Sequence, residues 1–362
     1  MSEVRLDHVT KRFGRHLAVN DLSLTIANGE FFVLLGPTGA GKTTILRLIA
    51  GLERPDSGSV WIAGQDATKW SAAERDVALV FQYYSLYPRY TVRHNLEFPL
   101  RSPVHSYPQA QIDERVARAS KMLRIGHLLD RKTDRLSGGE MQRVSIGRAI
   151  VREPRIFLMD EPLSNLDAKL RESLRSELKD LQMSLKSTFL FVTHDQIEAM
   201  SMGDRVGILN NGRIIQVGTP NEIYNSPRDT FVAAFVGSPA MNLIPAEIAE
   251  GKIVVPGAFD LPLEPNGRAR IATGDGTPVT IGIRSEDVAV GPNGGAAARV
   301  HHIENQGVEK IVTLRAGSSL FKATVPAVSP VAVEDTVRFS LNQDKLHGFD
   351  PASGRNRAYK AA

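Results

Sequence analysis

Short apolar runs alternate with helical patterns in the first two thirds of the chain. Continuous runs of four or five apolar residues occur at 31–35, 78–81, 156–159 and 189–192. Runs of this length without polar interruption are typical of strands that are buried on both faces of a parallel sheet. The first run leads through a glycine-rich turn into a helical pattern over 44–52. We therefore expect an α/β domain with a parallel central sheet.

The segment between the second and third apolar runs has a different pattern. In residues 112–123, apolar side chains recur at spacings of three and four, which is the period of an amphipathic helix. We expect a mostly helical subdomain at about residues 88–153, inserted into the α/β domain.

After about residue 240, glycine and proline become frequent and the helical period disappears. Short β-type runs occur at 279–283, 310–314 and 336–340, separated by turn signals. Strands of this length and spacing predict a small all-β barrel or sandwich. The expected domain boundaries are therefore 1–237 for the α/β domain and 238–362 for the β-rich domain.

Composition and charge narrow the class of protein. With 362 residues, 42% of them hydrophobic and 23% charged, the chain is a typical globular protein of two-domain length. It has no cysteine, so it forms no disulfide, which agrees with a reducing compartment. No apolar run approaches the roughly 18–20 residues that cross a bilayer. The net charge of +4 is weak and dispersed, so we expect no nucleic-acid partner.

A glycine-rich loop follows the first apolar run. Residues 36–43 fit the pattern G-x-x-x-x-G-K-[ST] between a predicted strand and a predicted helix, the context of a phosphate-binding P-loop. Its backbone N–H groups and the helix N-terminus would bind an anion, Lys42 would neutralise the β and γ phosphates, and Thr43 would ligate Mg²⁺. The alternative is a turn without a ligand. The predicted ATP contacts in this segment are Gly36, Pro37, Thr38, Gly39, Ala40, Gly41, Lys42, Thr43 and Thr44.

The third apolar run ends in two acidic residues. We expect Asp160 to hold Mg²⁺, directly or through water, as the corresponding aspartate does in P-loop NTPases. Glu161 is the candidate for polarising the attacking water. A strand that merely enters a polar loop would show the same pattern, but the P-loop upstream favours the catalytic interpretation.

A second anion site is predicted at Ser137, Gly138, Gly139 and Glu140. Ser137 and Glu140 form a capping-box pattern, which alone indicates a helix start. The two consecutive glycines are unexplained by capping, because glycine costs a helix about 1 kcal/mol per residue. Exposed amides at this N-terminus would bind an anion.

This segment resembles the signature of ABC proteins, and other motifs of that family occur at matching positions. Gln82 matches the Q-loop glutamine, residues 164–167 match the D-loop, His194 matches the switch histidine, and Phe13 matches the aromatic that stacks on adenine. Each of these residues alone also suits an ordinary structural role. Their common order and spacing favour the functional interpretation.

The resemblance is strongest to ATPase subunits of the maltose and glycerol-3-phosphate importer type, and it covers nearly the whole chain. Its markers are the segments 81–88, 235–242 and 283–287. It implies a P-loop ABC cassette with an inserted helical subdomain, followed by an oligonucleotide-binding-like (OB-like) regulatory domain. Glu140 departs from the usual glutamine of the signature, and Tyr83 follows the Q-loop where asparagine is common.

The resemblance also implies a mechanism. Two copies would form a head-to-tail dimer in which the P-loop of one copy and residues 137–140 of the other enclose each ATP. Hydrolysis would be carried by Lys42, Gln82, Glu161 and His194. The Mg²⁺ ligands would be Thr43, Gln82 and Asp160.

The implied partners are a second copy, two transmembrane permease subunits and, indirectly, a solute-binding protein, at the cytoplasmic face of the inner membrane. Tyr84, Leu86, Tyr87 and Pro88 form a candidate docking segment for the permease. The resemblance favours a sugar or a related polyol as the solute. The alternatives are import of a polyamine or an inorganic ion, or a non-transport ABC ATPase.

Overall fold

A computed structural model describes residues 3–102, 107–271, 274, 276–292 and 294–359 of the chain. The chain divides into two compact units, Met1–Pro220 and Asn221–Ala362. This division falls earlier than the expected boundary at 237–238, which stays a proposal.

The described residues of the first unit form ten strands and six complete helices. The strands are β1 Val4–Phe13, β2 His16–Ile26, β3 Phe31–Leu35, β4 Ser57–Ile62, β5 Gln65–Asp66, β6 Val77–Val80, β7 Ile156–Asp160, β8 Thr188–Thr193, β9 Arg205–Asn210 and β10 Arg213–Gly218. The helices are α1 Lys42–Ala50, α2 Val92–Glu97, α3 Gln109–Met122, α4 Gly138–Ile150, α5 Ala168–Leu185 and α6 Gln196–Met202.

Two sheets organise this unit. The central sheet has the order β10-β9-β3-β8-β7-β6, with only the edge strand β10 antiparallel to its neighbour. The second sheet is antiparallel, in the order β2-β1-β4-β5. In the central sheet Leu35 pairs with Thr193, and Asp160 pairs with Val192. The carboxyl ends of β3, β7 and β8 therefore meet at one edge, where each strand leads into a predicted site segment.

The predicted strands of the central sheet are confirmed, with one correction. Their side chains are buried on both faces, and the rings of Phe31 and Phe157 each stack on Phe189. Burying such a ring stabilises the fold by roughly 1.5–3 kcal/mol. The run at 78–81 was expected to be buried throughout. Instead β6 ends at Val80 and Phe81 is exposed, because the chain leaves the sheet there.

The segment between β6 and β7 is helical, as predicted. Its described helices are α2, α3 and α4, with short 3-10 turns between them. The α4 helix begins at the expected capping box. Ser137 Oγ accepts from the N–H of Glu140, and the Glu140 carboxylate accepts from the N–H of Ser137.

The second unit is mostly β. Its strands are β11 Asn242–Ala249, β12 Lys252–Val255, β13 Phe259–Pro262, β14 Thr277–Ile283, β15 Val288–Val290, β16 Ala296–Asn305, β17 Glu309–Ala316, β18 Ser319–Pro326, β19 Thr336–Leu341 and β20 His347–Phe349. They form two antiparallel five-stranded sheets, β13-β12-β11-β14-β20 and β15-β19-β16-β17-β18. The three predicted strands appear as β14, β17 and β19.

Short helices also occur in this unit, and the one within residues 238–362 was not expected. They are α7 Pro220–Asn225, which crosses the division between the units, α8 Thr230–Phe235 and α9 Pro265–Ile271. The β-rich unit has its own apolar core, in which Phe259, Phe321 and Phe339 pack with ring centroids 4.8–5.9 Å apart. Within the described ranges, no helix of the chain is both long and apolar enough to cross a membrane.

Candidate nucleotide-binding site

The glycine-rich loop joins β3 to α1 and folds around the side chain of Lys42. The Lys42 ammonium donates to the carbonyls of Gly36 and Pro37, at 2.9 and 3.0 Å, and only 5% of the side chain is exposed. Gly41 has φ of 105°, and a Cβ there would lie 2.2 Å from the carbonyl oxygen of Ala18. The loop therefore requires glycine at this position and holds the lysine cation inside its curve.

Thr43 and Asp160 form the next part of the site. The Thr43 hydroxyl donates to Asp160 Oδ1 at 3.0 Å, across the edge of the central sheet. Burial raises the pKa of Asp160, and the Glu161 charge raises it further. The hydrogen bond from Thr43 and the charges of Arg47 and Lys42 act in the opposite direction. A hydroxyl and a carboxylate oxygen side by side are ligands that suit Mg²⁺.

Glu161 occupies the turn directly after β7. Its φ is 43°, an unusual conformation for a residue with a side chain, and its N–H donates to the Val192 carbonyl at 3.0 Å. One carboxylate oxygen lies 3.4 Å from Lys42 Nζ and the other 2.9 Å from His194 Nδ1. The carboxylate is therefore held between a buried cation and an imidazole.

Gln82 is connected to the D-loop. Its side-chain amide donates to Ser164 Oγ at 3.4 Å, and Asn165 Nδ2 donates to the Gln82 carbonyl at 3.1 Å. Ser164 in turn donates to the carbonyl of Glu161 at 3.0 Å. A single chain of hydrogen bonds thus joins the glutamine to the loop that carries Glu161.

These groups surround a cavity of about 490 Å³. Its lining includes Phe13, His16, Ala18, Thr38, Gly39, Gly41, Lys42, Thr43, Thr44, Gln82, Glu161 and His194. Phe13 is 44% exposed at the end of β1, where a ring could stack on a planar ligand. The β1–β2 hairpin also brings His16 and Ala18 to the loop, and neither residue could be recognised as part of the site from the sequence.

Four predicted residues lie behind the cavity wall. Gly36 and Pro37 contribute the carbonyls that hold Lys42, and Ala40 belongs to the apolar core. Asp160 does not line the cavity itself, but it accepts a hydrogen bond from Thr43, which does. Their placement leaves the predicted ATP contacts of Gly36, Pro37 and Ala40, and the predicted Mg²⁺ contact of Asp160, untested.

The signature turn, residues 137–140, is a separate structure. None of its residues is among the described residues that line the cavity. Ser137 is exposed, and a Cβ on Gly139 would lie 2.1 Å from Leu170 Cδ2, which explains the second glycine. Hydrogen bonds from Ser137 lower the pKa of Glu140, and Arg131 lies 3.6 Å from its carboxylate. Glu140 is thus both a helix cap and a fixed negative charge.

Three family models match the chain. The model described as ABC transporter matches residues 19–164, the one described as MalK OB fold domain matches 237–288, and the one described as TOBE domain matches 281–349. The predicted α/β cassette and β-rich OB-like region are confirmed by these matches.

Similar proteins are known over almost the full length. The chain is 45% identical to the trehalose/maltose import ATP-binding protein MalK of Thermococcus litoralis, over 98% of this chain and 99% of that protein. It is also 45% identical to the xylose/arabinose import ATP-binding protein XacK of Haloferax volcanii, over 98% and 95%. Identity to the sn-glycerol-3-phosphate import ATP-binding protein UgpC of Ruegeria pomeroyi is 41%, over 99% and 100%.

Solved structures of ATP-binding cassettes are also similar. An ABC transporter cassette in its ADP conformation matches with a TM-score of 0.56 and 27% identity, over 63% of this chain and 96% of that one. A dimeric bacterial ABC transporter cassette matches with a TM-score of 0.55 and 31% identity, over 60% and 98%.

Proposed function

The chain belongs to the family of ABC importer ATP-binding subunits, and we propose that it uses ATP hydrolysis to drive uptake of a sugar, a sugar derivative or a polyol. The relatives named for trehalose, maltose, xylose and glycerol-3-phosphate import support this class of solute. The proposed location is peripheral, at the cytoplasmic face of the membrane that holds the permease.

One observation carries the proposed chemistry: the Glu161 carboxylate contacts both Lys42 and His194, and all three residues line a single cavity. Lys42 neutralises phosphate charge, and the loop amides bind phosphate oxygens. Glu161 accepts a proton from, or orients, the attacking water, while His194 holds the carboxylate in place. Catalysis is therefore mainly positioning and charge stabilisation.

Thr43 and Asp160 are the proposed protein ligands of Mg²⁺, with Gln82 as a further ligand from the cavity wall. When bound, the ion neutralises developing charge on the phosphate oxygens. The adjacent hydroxyl and carboxylate oxygens support this assignment.

A homodimer is proposed because the signature turn and the cavity form two halves that do not meet within the described chain. Either half alone leaves a highly charged nucleotide partly in water, and closure supplies donors on both sides. The similarity to a dimeric cassette supports this arrangement. Hydrolysis removes the phosphate that bridges the halves, so the dimer reopens.

Permease docking is proposed at the segment after Gln82. Tyr84, Leu86 and Pro88 line a cavity of about 400 Å³ together with Met141 of α4. Tyr87 faces a second cavity of about 210 Å³, where its ring lies 4.4 Å from that of Phe98. Two adjacent, partly apolar cavities beside the helical subdomain suit a short amphipathic segment of a partner.

Domain 238–362 is proposed to regulate hydrolysis without performing it. Its described residues form an independent β core, and the nucleotide-site residues all lie before residue 220.

Site-specific crosslinking tests the docking proposal, because the chain has no cysteine of its own. A Leu86→Cys or Tyr87→Cys variant, expressed with its transporter, should crosslink to a membrane subunit. The control is Met183→Cys, which places the single thiol of that variant at an exposed position of α5. Equal crosslinking at position 183, or none at 86 and 87, would place the contact elsewhere.

Uptake assays in vesicles with sugars, polyols, polyamines and inorganic ions test the proposed solute class. Uptake of a polyamine or an ion alone would overturn the sugar assignment.

A further inference from the structure

The guanidinium of Arg171 lies between two loops of the site. Arg171 belongs to the first turns of α5, and its Nη2 donates to the Leu166 carbonyl of the D-loop at 3.2 Å. Its Nη1 donates to Asp195 Oδ2, also at 3.2 Å, and its Nε lies 3.9 Å from Glu198 Oε1. One planar group therefore joins the D-loop to the segment that follows His194.

The residues on both sides of His194 depend on these contacts. Thr193 donates its hydroxyl to Glu198 Oε2 at 2.5 Å and accepts the N–H of Asp195 at 2.9 Å. Asp195 also caps α6 by accepting from the N–H of Ile197 at 2.7 Å. Arg171 thus contacts both carboxylates that fix the backbone around the histidine.

The D-loop end of the connection leads to Glu161. Ser164 donates to the Glu161 carbonyl, and Gln82 donates to Ser164. Leu166, whose carbonyl Arg171 holds, is buried. Two series of contacts therefore connect Arg171 to Glu161, one through the D-loop backbone and one through His194.

The ion pairs of Arg171 with Asp195 and Glu198 fix the geometry of these side chains more than they stabilise the fold. Glu198 is 2% exposed, and burial together with the nearby Asp195 charge raises its pKa, whereas Arg171 lowers it. Desolvation of the buried Glu198 and the partly buried Arg171 offsets much of the attraction between their charges, so the pair contributes little net stability. Its distinctive property is a fixed geometry, which the guanidinium fork provides and a lysine cannot reproduce.

We propose that Arg171 is a positioning residue for hydrolysis, which couples the D-loop to His194 and so sets the contact between His194 and Glu161. This inference rests on the proposed ATPase roles of Glu161 and His194. A shift of the D-loop, on closure against a second copy, would then be transmitted to the imidazole.

The test separates turnover from binding. Arg171→Gln should lower kcat about 10- to 100-fold, the loss expected when catalytic groups are misplaced, while the affinity for ATP measured without Mg²⁺ stays unchanged. Arg171→Lys keeps the charge but loses the fork, so it should restore only part of kcat. Arg175→Gln, the same change one turn along α5, is the matched control and should retain wild-type kcat.

A double-mutant cycle provides the discriminating readout. If Arg171 acts through His194, then Arg171→Gln should cause little further loss in a His194→Ala background. Full additivity, unchanged kcat in Arg171→Gln, or a loss of ATP affinity as large as the loss of kcat would overturn the inference. If wild type and Arg175→Gln hydrolyse no ATP, the proposed function fails and the inference fails with it.

Discussion

The P-loop side of the nucleotide site and the signature turn differ in how their charges are satisfied. Around the P-loop, Lys42 contacts two carbonyls and Glu161, and Glu161 contacts His194, so opposite charges are already paired inside the protein. The signature turn instead satisfies its donors locally, through the capping box of Ser137 and Glu140.

This difference shows what each region lacks. The P-loop side has the Glu161 carboxylate, which is the proposed base, and the Lys42 cation, and both line an open cavity. The signature turn presents an exposed serine and a helix N-terminus, and it has no catalytic group of its own among the described contacts. The two regions therefore suit the proposed dimer, in which a second copy would complete each site.

The largest effect is expected from Glu161→Gln. If the carboxylate activates water, the amide should lower kcat by at least about 100-fold, because an amide is not a base. ATP binding should persist, since Lys42 and the loop are unchanged. ATPase and equilibrium-binding assays measure both quantities. Glu172→Gln, on an exposed position of α5, is the control. Hydrolysis near the wild-type rate in the Glu161 variant would remove Glu161 from the mechanism.

Asp160→Asn should make the nucleotide-free protein more stable. Burial raises the pKa of Asp160, so the folded state holds this proton more tightly than the unfolded state. Stability from the group is therefore present at low pH and is lost as pH rises through the raised pKa. The asparagine keeps an acceptor for Thr43 but carries no charge.

Urea unfolding should show a gain of about 0.5–2 kcal/mol at about pH 8, within the usual range for stabilising changes at functional sites. The gain should shrink as the pH is lowered. The exposed Asp180→Asn should show no such pH-dependent gain. A destabilised Asp160 variant at high pH would show that the carboxylate is already compensated without a metal ion.

Glu140→Gln should produce the smallest change. The lowered pKa keeps Glu140 ionised at neutral pH, so its charge opposes phosphate at a helix N-terminus. Glutamine retains the capping box, so ATP-dependent association of two copies should tighten about two- to fivefold. Sedimentation at low and high salt measures the change, with Glu114→Gln on α3 as the control. Weaker association in the glutamine variant would mean that Glu140 attracts a cationic group of the partner.

Features encoded in contiguous residues could be predicted from the sequence. The P-loop, the strand ending at Asp160 and the capping box of α4 each depend on neighbours within a few positions, and the structure confirms these elements. Contacts between distant segments could not be predicted. The place of Ala18 behind Gly41 depends on how the β1–β2 hairpin packs on the loop.

The contacts of Arg171 likewise could not be predicted from the sequence. In sequence it is one of several charges on an amphipathic helix, and only the fold places it between Leu166 and Asp195. The structure of the proposed docking segment could be predicted only in part. Its apolar character was visible in the sequence, but its division between two cavities, with Tyr87 apart from Leu86, depends on the helical subdomain.

Complementation between two inactive variants tests most directly whether the two regions are halves of one site. Lys42→Ala disables the P-loop side, and Ser137→Arg blocks the signature turn by its bulk. Alone, each variant should bind ATP poorly or dimerise poorly, and each should hydrolyse almost no ATP. A mixed dimer, however, contains one intact site, made of the Ser137→Arg copy's P-loop and the Lys42→Ala copy's signature turn. Mixing the two purified variants should therefore restore ATP hydrolysis. No recovery on mixing, or full activity of Ser137→Arg alone, would contradict it.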